Sequence, residues 1–75
     1  RQQQSPIARL THRELQVLER VGKGLSTKEI ADELGVSART VDAHRAHIKG
    51  KLELSSPSEL QQFAIRWVHE PKGEG

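Results

Sequence analysis

Residues 37–52 carry side chains that can exchange hydrogen bonds and charge with a large polar partner. The charged ones are Arg39, Asp42, Arg45, Lys49 and Lys51, which give the segment a formal charge of +3, whereas the rest of the chain sums to −1. Clustered cationic groups attract polyanions, because contacts to phosphates supply most of the sequence-independent affinity for nucleic acids. The segment therefore predicts a polyanion-binding surface, although a charge cluster taken alone is more often a solvated face.

A helix over residues 38–52 would have one apolar side and one unusually flat side. At about 100° per residue, Val41, Ile48 and Leu52 fall together. The opposite side holds small residues edged by polar ones, namely Arg39, Asp42, Ala43, Ala46, His47 and Gly50. Solvated helix faces usually carry long polar side chains, and glycine inside a helix costs about 1 kcal/mol relative to alanine. The flat side therefore indicates close approach by a large partner; an exposed helix with chance alanines is the alternative.

The composition favours helices and argues against catalysis. The chain has 75 residues, enough for one domain with a thin core, and it contains one Phe, one Trp and neither Tyr nor Cys. Without cysteine, no disulfide or thiolate metal site can be proposed. His44 and His47 lack a convincing third metal ligand, and no nucleophile has a base nearby. The prediction is an all-α domain that is not an enzyme, holds no metal or cofactor, and has no apolar run near the roughly 20 residues that cross a membrane.

Capping signals divide the chain into four helices. A capping box pairs Ser or Thr before a helix with Glu or Gln three residues later, and each side chain binds the other residue's amide. The boxes predicted here are Thr11 with Glu14, Ser26 with Glu29, and Ser56 with Glu59, while Ser37 caps the third helix without such a partner. Residues 1–6 are interpreted as a linker, 7–70 as the domain and 71–75 as a disordered tail.

Only Gly35, Val36 and Ser37 separate the second and third helices. A link this short, with glycine in it, forces two helices into a tight crossed corner. Because the second of the two would be basic and flat outward, the arrangement is that of a helix-turn-helix with residues 38–52 as its recognition helix. The predicted architecture is a four-helix, bundle-like domain that contains this motif, with the fourth helix packing beside it.

Three sequence blocks resemble a known family. They are Leu10-Thr11-x-Arg13-Glu14-x-x-Val17-Leu18, Gly24-Leu25-Ser26-x-Lys28-Glu29-Ile30-Ala31, and Ser37-x-x-Thr40-Val41-x-x-His44-Arg45-x-x-Ile48-x-x-Lys51-Leu52. In this order and spacing they resemble the LuxR-type, or GerE-like, helix-turn-helix domain. The version of the third block is most similar to the C-terminal effector domain of FixJ/NarL-type response regulators.

The resemblance implies sequence-specific binding of double-stranded DNA by the output domain of a two-component transcriptional regulator. The third helix would lie in the major groove, and the fourth would pair two copies into a homodimer. An N-terminal receiver domain would precede this chain, RNA polymerase is a further candidate partner, and the location would be the bacterial cytoplasm.

Individual roles follow from helix position and from the resemblance. Base-reading residues are predicted to be Arg39, Asp42, Ala43, Ala46 and His47. Phosphate contacts are predicted from Ser26, Thr27, Lys28, Thr40, Arg45, Lys49 and Lys51. Dimerisation is predicted through Leu60, Ala64, Trp67 and Val68. Several alternatives stay open: Asp42 could merely neutralise a neighbouring arginine, Lys51 could be a solvated lysine, and Trp67 could plug the core.

Two other functions fit parts of the pattern. The promoter-reading domain of a sigma factor has a similar helix arrangement and a comparable Leu-Thr-x-Arg-Glu start, although His44-Arg45 after Thr40-Val41 disfavours it. A helical protein-interaction module could use the third or fourth helix to bind a partner without any DNA. Salt-dependent retention of DNA would separate the interaction module from the leading hypothesis. Direct binding to core RNA polymerase would favour the sigma-factor domain.

Overall fold

The computed structural model describes residues 6–69, which form a short 3-10 helix and four α-helices without any strand. The 3-10 helix is Pro6–Arg9, followed by α1 (His12–Gly22), α2 (Thr27–Leu34), α3 (Ala38–Leu52) and α4 (Pro57–His69). This confirms the all-α class and the predicted order of helices. Apart from Pro6, the predicted linker 1–6 lies outside the described residues, as does the predicted tail 71–75.

Both predicted capping boxes at α1 and α2 are present. The Glu14 amide donates to Thr11 Oγ1 at 3.1 Å, and the Thr11 amide donates to Glu14 Oε1 at 2.9 Å. Ser26 and Glu29 repeat both hydrogen bonds, at 3.1 and 2.8 Å. These side chains satisfy amides that the first helical turn would otherwise leave unpaired, so each helix begins where the pattern predicts.

Helix α4 begins at Pro57 as predicted, but one of the two hydrogen bonds of its predicted capping box involves a different residue. The Glu59 amide donates to Ser56 Oγ at 3.2 Å, as expected for a cap. The Glu59 carboxylate, however, accepts from the amide of Ser55 at 2.7 Å rather than from that of Ser56. The predicted box is therefore wrong in this half: the carboxylate reaches past the cap and fixes the loop that precedes the helix.

The link between α2 and α3 has the predicted three-residue form. Gly35 ends α2 in the left-handed conformation, with φ of 70° and ψ of 34°. The Val36 amide then donates to the Ala31 carbonyl at 3.0 Å, and Ser37 Oγ accepts from the Thr40 amide at 3.1 Å. A residue with a Cβ disfavours the left-handed conformation, so Gly35 permits the sharp reversal of a helix-turn-helix.

The core is formed around α1, which packs against each of the other α-helices. The buried apolar residues of the core are Leu10, Val17, Leu18, Val21, Ile30, Ala31, Val41, Ile48, Leu52, Leu60 and Ala64. The 3-10 helix holds the end of α3, because Arg9 Nη1 donates to the Lys51 carbonyl at 3.1 Å. None of the helices in residues 6–69 combines the length and apolar character needed to cross a membrane.

Two residues predicted to form the dimer surface belong to this core instead. Leu60 and Ala64 are completely buried within the single chain. They lie on the side of α4 that packs against α1, so they cannot present a surface to a second copy. Their assignment to dimerisation was wrong because the apolar positions of a helix do not by themselves reveal which ones the monomer uses.

Candidate nucleic-acid interface

The flat side of α3 is open to solvent along its length. Ala43 and Ala46 are exposed, as are Arg39 at the start of this row and His47 at its edge. Val41 and Ile48, on the other side of α3, are completely buried. A Cβ added to the exposed Gly50 would meet nothing within 4 Å. The monomer therefore leaves the predicted base-reading strip, Arg39 to Gly50 on the outward side, uncovered.

Asp42 is exposed within this strip, and its carboxylate has no ion-pair partner among residues 6–69. Among the described residues, no ion pair within 4.0 Å joins it to Arg39 or Arg45. The alternative in which Asp42 only neutralises a neighbouring arginine thus lacks the contact it requires. A carboxylate in this position can only accept hydrogen bonds, for example from the N4 amine of cytosine.

A cleft of about 260 Å³ lies beside the strip, where α2, α3 and α4 converge. Its lining residues are Thr27, Asp42, Arg45, Ala46, Lys49, Pro57 and Leu60. Arg45 and Lys49 are half-buried, and neither has a carboxylate within 4.0 Å in the described part of the chain. The first residues of α2 and α4 also line the cleft, and helix N-termini carry partial positive charge. Because the two cations and two helix N-termini outweigh the single carboxylate of Asp42, the cleft favours an anion next to the base-reading strip.

The start of α2 keeps only part of its predicted phosphate-binding capacity. The Ser26 amide donates to the Glu29 carboxylate, and Ser26 Oγ accepts from the Glu29 amide. The hydroxyl hydrogen is therefore the donor that Ser26 still has for a phosphate. Lys28 is exposed and has no carboxylate within 4.0 Å among residues 6–69. Thr40 is half-buried, and its hydroxyl is hydrogen-bonded to Ser37 Oγ at 3.0 Å.

Lys51 has a partner that its sequence position did not reveal. Its Nζ lies 2.7 Å from Oε1 of Glu14, whose side chain is only 5% exposed. The ammonium is therefore held against the start of α1, and we remove Lys51 from the predicted phosphate contacts. Neither the phosphate role nor the solvated alternative describes it. The capping box had already accounted for Glu14, so no sequence signal pointed to this second bond.

Glu14 is a buried carboxylate stabilised by several donors. Burial alone would raise its pKa, but the hydrogen bonds from the Lys51 ammonium and the Thr11 amide, together with the charges of Lys51 and His47, lower the pKa below its ordinary value. Its second oxygen, Oε2, lies 4.0 Å from Nδ1 of His47. The charged form of Glu14 thus links α1 to both of these α3 residues.

The outward side of α4 differs from the predicted dimer surface. Trp67 packs against the core and Val68 lies against Gly22 of α1, and both are half-buried, whereas Ile65 is 40% exposed. Ile65 is the only large hydrophobic residue of the described chain with such exposure. It was missed in the sequence because its position relative to α1 cannot be read from α4 alone.

The remaining titratable residues in the described part of the chain do not assemble into a metal site. Within residues 6–69, no group of three or more His, Cys, Asp or Glu side chains could hold a metal ion. Several acidic side chains are engaged in structural contacts, such as Glu33, which accepts from Arg20 Nε at 2.8 Å and joins α2 to α1.

Comparison with known proteins agrees with this geometry. Residues 8–64 match the family described as bacterial regulatory proteins, luxR family. The oxygen regulatory protein NreC of Staphylococcus carnosus (strain TM300) is 46% identical over 61 residues, which are 81% of this chain and 28% of that protein. NreC of Staphylococcus haemolyticus (strain JCSC1435) is 44% identical, and NreC of Staphylococcus aureus (strain JH9) is 46% identical, over the same shares.

The chain thus spans less than a third of the length of these relatives. No solved structure matches it significantly. The family match covers the helix-turn-helix, the recognition helix and the first half of α4, and it confirms the resemblance carried by the three sequence blocks. The chain is therefore a DNA-binding helix-turn-helix domain and belongs to the luxR family of bacterial regulatory proteins.

Proposed function

We propose that the chain binds double-stranded DNA sequence-specifically, with α3 in the major groove, as the output domain of a two-component transcriptional regulator. The observation that carries this proposal is the uncovered strip of Ala43 and Ala46 beside a cleft lined by Arg45 and Lys49, which have no carboxylate partner among residues 6–69. Small side chains let a helix approach base edges closely, while the adjacent cations meet the phosphates of the groove wall.

Base reading is assigned to the residues of the outward strip. Arg39 can donate two hydrogen bonds to guanine, and Asp42 can accept from cytosine. Ala43 and Ala46 can contact thymine methyl groups, because each presents a methyl group of its own without a polar atom. His47, at the edge nearest α1, can reach either a base or a phosphate.

Phosphate contacts are assigned to the cleft and to the start of α2. Arg45 and Lys49 provide charge inside the cleft, and Thr27 lines its α2 side. Lys28 adds an exposed cation, and the hydroxyls of Ser26 and Thr40 are further donors. These contacts would fix the register of α3 on the duplex without reading its sequence.

The wider assembly is also a proposal. We infer a homodimer that pairs through α4 around the exposed Ile65, with the half-buried Trp67 and Val68 of the predicted set contributing the part of their surface that stays exposed in the monomer. Two such domains would read half-sites about one helical turn apart. Three further parts of the proposal rest on the resemblance to FixJ/NarL-type regulators. An upstream receiver domain would be joined through residues 1–6 to the domain over 7–70. The regulator would contact RNA polymerase, and it would be located in the bacterial cytoplasm.

The test is a salt series with a duplex selected from a random pool and a scrambled duplex of the same composition. The exposed and half-buried cations of the interface predict a slope of about −3 to −4 per domain in a plot of log affinity against log salt concentration. The selected duplex should bind at least about a hundredfold more tightly than the scrambled one. Equal affinity for both duplexes, or a slope near zero, would contradict the proposal. The latter result would favour a protein-interaction module.

A further inference from the structure

The two oxygens of the buried Glu14 carboxylate have different surroundings. One accepts hydrogen bonds within the fold, and the other lies on the side of the base-reading strip. Oε1 accepts from the Thr11 amide at 2.9 Å and from Lys51 Nζ at 2.7 Å. Oε2 lies 4.0 Å from Nδ1 of His47. His47 and Lys51 are four residues apart on α3 and therefore share one side of the helix. The carboxylate thus approaches both of them from α1.

His47 lies at the boundary between this buried carboxylate and the open strip. Its side chain is 66% exposed, while that of Glu14 is 5% exposed. In an imidazole ring the two nitrogens point in different directions, so a ring that turns Nδ1 toward Glu14 directs Nε2 away from it. His47 follows Ala46 in the sequence and lies one helical turn after Ala43, beside the exposed row that faces DNA under the proposed function.

We propose that Glu14 is a positioning residue for His47, and that His47 takes up a proton when the domain binds DNA. The ionised Glu14 carboxylate lies 4.0 Å from Nδ1, in ion-pair rather than hydrogen-bond contact, and attracts the Nδ1–H inward. This orientation aims Nε2 at a hydrogen-bond acceptor on the duplex. This inference rests on the proposed function, since it concerns how the same surface recognises DNA.

Proton uptake is coupled to DNA binding because the neutral and the protonated forms of histidine have different numbers of hydrogen-bond donors. A neutral imidazole carries one N–H and can serve either Glu14 or the DNA acceptor, whereas the protonated ring carries two and serves both. Phosphate oxygens and the N7 and O6 atoms of guanine are all acceptors of this kind. Bound DNA therefore favours the doubly protonated ring, and by linkage a lower pH favours binding.

The charged surroundings of His47 support this arrangement. Because the pKa of Glu14 is lowered, its carboxylate stays ionised throughout the range from pH 6 to pH 8. Lys51, on the same helix, already donates to the other oxygen of Glu14, and Arg9 of the 3-10 helix donates to the Lys51 carbonyl. Neither α2 nor any other described element places a second carboxylate within 4.0 Å of the ring nitrogens.

The experiment measures proton uptake on binding. The wild-type domain and His47→Gln are titrated with the selected duplex by calorimetry in two buffers of different ionisation enthalpy, and affinities are measured from pH 6 to pH 8. Histidine is the side chain that commonly changes charge in this range. We expect the wild type to bind about fivefold to tenfold more tightly at pH 6 than at pH 8, with uptake of roughly half a proton at neutral pH. Both effects should disappear in His47→Gln.

Matched variants exclude the other histidines. His12→Gln, His44→Gln and His69→Gln make the same change in α1, α3 and α4, and each should retain the pH dependence. If uptake persists in His47→Gln and disappears in any of these three, the proposal is overturned. If Glu14→Gln folds and still takes up the same number of protons on DNA binding as the wild type, the positioning role of Glu14 is overturned. If the domain shows salt-dependent, sequence-specific binding with no proton uptake, this inference fails while the proposed function stands.

A second measurement does not depend on any variant. Nitrogen chemical shifts of the neutral His47 ring in the free wild-type domain report which nitrogen carries the hydrogen. We expect Nδ1–H, whereas Nε2–H, the form that predominates in water, would overturn the proposal. The two kinds of acceptor are separated by selection from a random pool. If His47 contacts a phosphate, His47→Gln weakens all duplexes alike, and if it contacts a base, the selected sequence changes at one position.

Discussion

Gly22 of α1 lies directly against the backbone of Ala64 in α4. A Cβ placed on this glycine would lie 2.9 Å from the Ala64 carbonyl carbon and even nearer to its oxygen. It would also lie 2.5 Å from Cγ2 of Val68. Gly22 and Ala64 are both buried, so the two helices approach each other at their smallest residues. The closeness of α1 and α4 is what requires glycine here.

Gly22→Ala should therefore destabilise the domain, although alanine is the better helix former. The added methyl group cannot displace a backbone carbonyl without shifting α4, and overpacking of this kind costs about 1–3 kcal/mol. Gly50→Ala is the matched control, because its methyl group meets nothing within 4 Å in the monomer and should raise stability by up to about 1 kcal/mol. Urea unfolding of both variants measures the difference. Equal gains in stability would contradict the close approach of the two helices.

Features determined by neighbouring residues could be predicted from the sequence. The boxes at Thr11 and Ser26, and the reversal at Gly35, depend on side chains and amides within a few residues of each other. The exposed side of α3 was predictable for a similar reason. The apolar residues of this helix recur with helical periodicity, so they identify the buried side, and the exposed side is the opposite one. The family resemblance also rests on these local blocks.

Apart from the local hydrogen bond between Ser55 and Glu59, the errors concern how helices are placed against each other. Lys51 and Glu14 are 37 residues apart, and each had a plausible local explanation on its own helix. Leu60 and Ala64 have the apolar character of either a core or a dimer surface, and only the packing of α4 on α1 decides between them. Gly22 carries no local signal in the sequence that a second helix packs against it.

Two lysines at the end of α3 should differ in what their loss does. Lys49→Met should weaken binding to every duplex and reduce the salt slope by about one unit, with a stability change within about 0.5 kcal/mol. Lys51→Met leaves the buried Glu14 carboxylate without its cation, so it should cost about 1–3 kcal/mol of stability. Its salt slope should be close to that of the wild type. Urea unfolding and the salt series measure both effects, and a flattened slope in Lys51→Met would restore its phosphate role.

Glu14 should contribute stability that depends on acid pH. Its pKa is lowered in the folded state, so its stabilising contribution is complete above the ordinary value of 4.5 and is lost as the pH falls toward the lowered value. Glu14→Gln should lower stability at pH 7 by about 1–2 kcal/mol and by less at pH 3. Thermal unfolding from pH 3 to pH 7 measures this, with Glu19→Gln at an exposed ion pair as the control. A constant difference between wild type and Glu14→Gln at every pH would contradict the assignment.

Asp42 provides the most direct test of base reading. Replacing Asp42 with Lys turns an unpaired acceptor into a donor, so the preferred base at one position should change from one that donates, such as cytosine, to guanine. The preference should shift by about tenfold, because one good base contact discriminates by roughly 1–3 kcal/mol. Asp32→Lys, at an exposed aspartate of α2, adds the same charge outside the strip and should raise affinity for all duplexes without changing the selected sequence. Both positions are exposed, so both variants should fold. Selection from a random pool compares the two, and an unchanged profile for Asp42→Lys would remove Asp42 from the base-reading residues.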